Sequence, residues 1–163
     1  MSAPAWCLWL ENTGFAVALK ESAYVFPIVE GTHLLGMSVS VGLILLLDLR
    51  LLRLAFRNEP VSRIMRQVAP WMTSGFALVF ATGLALFAAN ATAAYGNWFF
   101  RLKLALVFVA GVNAAYYQVA CFPKMAQWDV AADIPRGPRA VAAISIVCWA
   151  LVIAFGRTMA YEL

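Results

Sequence analysis

His33 is the one histidine of this chain, and it stands three residues after Glu30 inside an apolar run. An ionisable pair in hydrocarbon is costly, so such residues generally mark a site. Neutral imidazole is the form that ligates metals, and a carboxylate such as Glu30 can fix its tautomer by accepting from the other ring nitrogen. At about 100° per residue, Glu30, His33, Met37, Ser40 and Asp48 share one helical stripe, expected to face the interior of a bundle.

The bundle follows from composition. With 64% hydrophobic and 12% charged residues and a mean hydropathy of +0.81, the chain reads as an integral membrane protein. Four apolar stretches, 24–48, 68–89, 97–122 and 139–161, each reach the roughly 20 residues that a span requires. Their lack of strict alternation excludes barrel strands. Short connections predict one all-α, four-helix, up-and-down bundle forming a single domain, with helices over about 24–56, 64–90, 97–122 and 137–162. A short interfacial helix is expected over about 3–19, where Trp6, Trp9 and Phe15 suit the headgroup zone. No basic region precedes this segment and Glu11 interrupts it, so it is expected to be retained rather than cleaved.

Lys and Arg set the expected orientation. Arg50, Arg53, Arg57, Arg63 and Arg66 follow the first span, and Lys124, Arg136 and Arg139 follow the third. The positive-inside rule makes both connections cytoplasmic, placing both termini in the periplasm of a bacterial inner membrane. The net charge of +4 then reflects topology, and nothing in it calls for a nucleic acid. Three cysteines, Cys7, Cys121 and Cys148, fall at different depths and support no disulfide framework.

With this topology His33 lies about 13 Å into the first span, in its outer half. The third span enters from that side with Trp98, Arg101 and Lys103, and the fourth leaves there with Arg157, Met159 and Tyr161. Acids, bases and one imidazole thus converge at similar depth. Long cations near helix ends also snorkel to the interface, and intramembrane polar residues also tie helices together. Asp48 and Arg50, at the inner end, are expected to form an interfacial salt bridge or to serve as helix-terminus charges.

The runs Glu30-Gly-Thr-His33-Leu-Leu-Gly, Asp48-Leu-Arg50, Trp98-Phe-Phe-Arg101-Leu-Lys103 with Asn113, and Gly156-Arg157-Thr-Met-Ala160-Tyr161 resemble a family of uncharacterised four-span bacterial membrane proteins. More remotely, the first-span His and the third-span Lys are similar to those of the J-type protoporphyrinogen oxidase and the copper-resistance D membrane domain. The oxidase resemblance implies haem b, with His33 as axial metal ligand and Lys103 in the working site. The copper-protein resemblance implies copper passage, with Asn113 matching an Asn of the corresponding helix.

A haem held by His33 could take a thioether from Met37, Met72 or Met159, or lie between two copies of the chain. Its propionates would give Arg101, Lys103 and Arg157 cationic roles, with Phe26, Trp71, Phe76 and Trp149 as aromatic walls. Three functions are therefore expected alternatives: a haem b protein with a redox or electron-transfer role, a copper-binding or copper-transport protein, and a non-catalytic structural subunit. Lipid is the expected surrounding, with a homo-oligomer or larger membrane complex as the assembly.

Overall fold

The computed structural model describes residues 4–129, 133–159 and 161. Four of its helices are long and apolar enough to cross a bilayer, making this a multi-pass membrane protein. They are α3 (Val25–Leu51), α4 (Val61–Ala89), α6 (Trp98–Tyr116) and α7 (Arg136–Met159). The third span continues from α6 through a π-helical turn, Tyr117–Cys121, into a 3₁₀ turn, Phe122–Gln127. Short helices α1 (Ala5–Glu11), α2 (Gly14–Glu21) and α5 (Ala91–Gly96) lie where α3 begins, α4 ends, α6 begins and α7 finishes, called here the terminal end. The opposite end is the loop end.

Local chemistry places the boundaries. The first span stops at Leu51 rather than near 56 because Arg53 takes a left-handed backbone (φ 60°). There the Leu54 and Arg53 amides donate to the Leu49 and Arg50 carbonyls, the closing pattern of a Schellman turn. The expected single N-terminal helix is two, because the Thr13 hydroxyl caps α2 by accepting from the Ala16 amide at 3.4 Å. Asn97 caps α6 through the Phe100 amide at 3.2 Å. Residues 160 and 162 of the expected fourth span lie outside the described residues.

The helices close three sides of a bundle. α3 packs along both α4 and α7, and α6 packs along α7. α4 and α6 lack comparable backbone contact and meet through side chains, with Phe87 stacked on Phe100 at 5.4 Å between ring centroids. Small residues bring α3 and α4 together: a Cβ at Gly36 would meet Val79 at 3.1 Å, and one at Gly75 would overlap the Ser40 hydroxyl. Such surfaces allow close packing where lipid supplies no hydrophobic drive between helices.

Two apolar clusters fill the interior. One, at the loop end, joins Leu47, Leu51, Val61, Met65, Tyr117, Trp128, Val141 and Ala142. The other, mid-bundle, gathers Val41, Ala110, Cys148, Trp149 and Val152, with Met37 and Phe76 against it. At the terminal end α1 lies over α4 and α5, with Trp6 against Phe87 and Tyr95 and Glu11 bonded to Thr92 and Lys20. Trp9 and Phe15 point away from the protein, 71% and 64% exposed, as suits rings in an interfacial layer.

Candidate functional site

The interior between the mid-bundle pair Phe76–Trp149, 5.3 Å apart, and the Phe87–Phe100 stack holds the polar groups of the terminal half. Eleven residues separate Phe76 from Phe87 on α4, about 16 Å along the axis. His33 projects from α3 toward α4 within this interval. Gly83 makes room for it, since a Cβ there would stand 3.1 Å from ring atom Cε1. Its Nδ1 lies 3.0 Å from the Thr82 hydroxyl oxygen.

Thr82 has one hydroxyl proton, and the carbonyls of Leu78 (2.7 Å) and Val79 (3.2 Å) lie within its reach. With that proton on a carbonyl, the hydroxyl oxygen accepts from Nδ1–H, and the ring's electron pair then stands on Nε2. No described side chain is hydrogen-bonded to Nε2.

Lys103 enters from α6, half-buried, with its ammonium over Gly156 of α7. A Cβ at Gly156 would stand 3.5 Å from Nζ. Lys103 and Glu30 are the charged groups near enough to act on the imidazole. Among the described residues Lys103 has no ion pair; the two pairs present are Lys20–Glu11 and Arg63–Glu59. One imidazole and one ammonium with no ion pair among the described residues, each beside a glycine, thus share the bundle's terminal half. The donor set suits a ligand that takes one nitrogen donor and offers an anionic group. Among the described residues no cluster of three or more His, Cys, Asp or Glu could hold a bare metal ion.

A family model described as a family of unknown function, DUF6644, matches residues 10–162. The chain belongs to that family. No curated protein and no solved structure matches. The stretch of this DUF6644 chain that matches holds all of the His33–Lys103 site.

The other sequence-predicted residues lie farther apart. Glu30 is exposed; Thr82, and not Glu30, bonds to the ring. The expected inward stripe begins at His33 and continues through Met37, Ser40 and Asp48. Met37 packs on the mid-bundle cluster. Arg101 turns to the Tyr95 carbonyl at 2.9 Å and lies over the Tyr95 ring, while exposed Arg157 lies over Tyr161. Asn113 is about 15 Å deeper than Lys103 on the same helix, its amide donating to the Val141 carbonyl at 2.9 Å. Trp71 is exposed; Phe76 and Trp149 are the aromatic pair that lies inside.

The expected pairing of Asp48 with Arg50 is corrected. Both are buried, at 4% and 1% exposure, and they point to different partners. Arg50 Nε donates to the Glu59 carbonyl at 2.6 Å and Nη2 to the Asp129 carbonyl at 3.4 Å; Ser145 lies beside Asp48. Asp48 and Arg50 stand two positions apart on α3, which sends their side chains about 200° apart around the axis.

Thr82, Gly83 and Gly156 are site residues that no sequence motif singles out. A depth count carries the signal for Thr82: it is about 10 Å from the end of α4, and His33 about 12 Å from the start of antiparallel α3. Gly83 is legible as a packing glycine, and only the coordinates show that an imidazole occupies the space beside it.

Proposed function

We propose that this chain is a haem b-binding membrane protein with a redox or electron-transfer role, in which His33 Nε2 is an axial ligand. The observation that supports the reading is the Thr82 contact: an Nδ1–H donated to that hydroxyl would leave the ligating electron pair on Nε2, to which no described side chain is hydrogen-bonded. Lys103 would meet a propionate, its ammonium being unpaired and half-buried. The side between α4 and α6, where backbone packing is weakest, offers a lateral approach from lipid. The iron would supply one-electron chemistry, while the helices hold the imidazole, set its proton and limit water.

The remote similarity to the J-type protoporphyrinogen oxidase supports the same reading. Because the chain has one histidine, a second imidazole ligand would have to come from another copy. The arginine-rich connection between α3 and α4 supports placing the loop end in the cytoplasm and the site in the outer half of a bacterial inner membrane.

The test is the absorbance spectrum of detergent-purified protein, produced with ample haem. A Soret band lost in His33→Ala and weakened in Lys103→Ala is expected. A colourless wild-type protein, or a band indifferent to His33→Ala, overturns the proposal. Stoichiometric copper in the colourless protein would instead select the copper reading, and a constant co-purifying partner without cofactor the structural-subunit reading.

A further inference from the structure

Asp48 is a carboxyl in the wall of a transmembrane bundle with no charge set against it. It lies at the loop end of α3, 4% exposed, beside the Ser145 hydroxyl of α7. Its Oδ2 has no hydrogen-bond partner among the described residues. Arg50, two residues on, is directed at the carbonyls of Glu59 and Asp129, and among the described residues no cationic side chain acts on Asp48. The titratable groups facing this layer from other elements are Tyr117 and Cys121 of the π-helical turn and Asp129 beyond the 3₁₀ turn. None can neutralise a carboxylate.

An ionised carboxylate enclosed in this way would be uncompensated, and buried charges are held only when paired or neutralised. A metal cation would need several oxygen ligands. Beside Asp48 the structure provides the Ser145 hydroxyl, the Tyr117 hydroxyl that faces this layer is directed at Met125 Sδ, and among the described residues no group of three or more His, Cys, Asp or Glu gathers there. We infer that Asp48 is an intramembrane proton-binding site, whose carboxyl takes its proton from water at the loop end and holds it against Ser145 within the bundle. The inference rests on the loop-end geometry and is independent of what His33 binds.

The experiment is infrared spectroscopy of the full chain in lipid, with aspartate labelled by ¹³C at the side-chain carboxyl. At neutral pH the wild-type protein is expected to show the carbonyl stretch of an un-ionised carboxylic acid, shifted by the label and absent from Asp48→Asn. Only carboxylate bands at neutral pH overturn the proposal. As a second measurement, thermal unfolding of the wild type is compared in sodium, potassium and choline chloride. Equal melting in all three is expected, and melting raised by one metal cation overturns it in favour of a cation site. Asp48→Asn should melt like wild type, because the amide is close in shape to the neutral acid; if that variant does not fold, the labelled wild-type spectrum and the salt series still decide.

Discussion

The two ends of the bundle treat polar groups differently. At the loop end most have protein partners drawn from distant segments. Arg50 ties the end of α3 to the carbonyls before α4 and after the 3₁₀ turn, and the Asp129 carboxylate accepts from the Ser62 amide at 2.7 Å and its hydroxyl at 2.5 Å. At the terminal end, His33 Nε2 and the Lys103 ammonium have no side-chain hydrogen bond or ion pair among the described residues, in a half-buried setting. Bonded buried polar groups hold a fold, whereas open ones between helices offer a ligand its contacts. Among the described residues, Arg50 Nη1 and Asp48 Oδ2 depart from this pattern; the carboxyl, with only the Ser145 hydroxyl beside it, is the one of the two that a proton can neutralise.

If this contrast holds, Arg50→Ala should have the largest effect on stability. It would leave the Glu59 and Asp129 carbonyls unmatched and open a void, at a cost of about 2–4 kcal/mol. His33→Ala should cost much less, since the half-buried ring meets only the Thr82 hydroxyl and the Val79 backbone among the described residues. Unfolding titrated with denaturing detergent compares the two, and equal losses would erase the distinction between the ends.

The mid-bundle contact between α3 and α4 sharpens the comparison, because it sets how His33 meets Gly83. Gly75→Ala would drive a methyl into the Ser40 hydroxyl and should destabilise by about 1–3 kcal/mol. With Ser40→Ala added, the nearest atom to the new methyl becomes the Cβ of residue 40, at 3.5 Å, an ordinary contact. The double variant should therefore recover most of the loss. A loss that persists would mean that the helices do not meet at this register.

A smaller effect is expected within the site itself. The chain's single histidine gives one set of imidazole signals, so ¹⁵N NMR reads it directly. The wild-type ring should show a protonated Nδ1 and an unprotonated Nε2, and Thr82→Ala should disturb that assignment. Gly83→Ala should shift the ring signals, because its methyl would crowd Cε1 at 3.1 Å, whereas Gly156→Ala should leave them nearly unchanged. The same response to both glycine variants would mean that Gly83 does not position the ring.

The four spans were legible because a hydrocarbon layer demands long uninterrupted apolar helices, a signal carried by composition alone. The inward stripe from His33 to Asp48 was legible from helical phase. Hydrogen-bond direction was not: phase put Glu30 on the stripe with His33, but α3 begins with its first turns exposed, and a threonine from another helix lies nearer the ring. Arg50 and Asp48 read as interfacial because hydropathy stops there, yet the segment from Tyr117 to Asp129 folds back over that end and buries them. That closure depends on the π-helical and 3₁₀ turns, for which no periodic pattern exists to be read. Nor does sequence reveal that α4 and α6 meet chiefly through aromatic side chains.

The smallest effect concerns the cover over the terminal end. The Glu11 carboxylate accepts from the Thr92 hydroxyl and amide and pairs with Lys20 at 3.2 Å. The Thr92 hydroxyl bond holds its pKa below the ordinary value of 4.5, against the opposing effect of burial. A carboxylate lowered in the folded state contributes stability that is present above its unfolded value and is lost as pH falls through the folded value. The contact of α1 with α5 should therefore be intact at neutral pH and loosen only below about 4.5. Trp6, seated against Phe87 and Tyr95, should report this as a fluorescence change in a protein whose other tryptophans are each replaced by Phe. Thr92→Val should move the midpoint upward by removing the hydroxyl donor, while leaving the Arg50-dependent stability of the loop end unaltered. A midpoint unmoved by Thr92→Val would mean that Glu11 does not hold the cover in place.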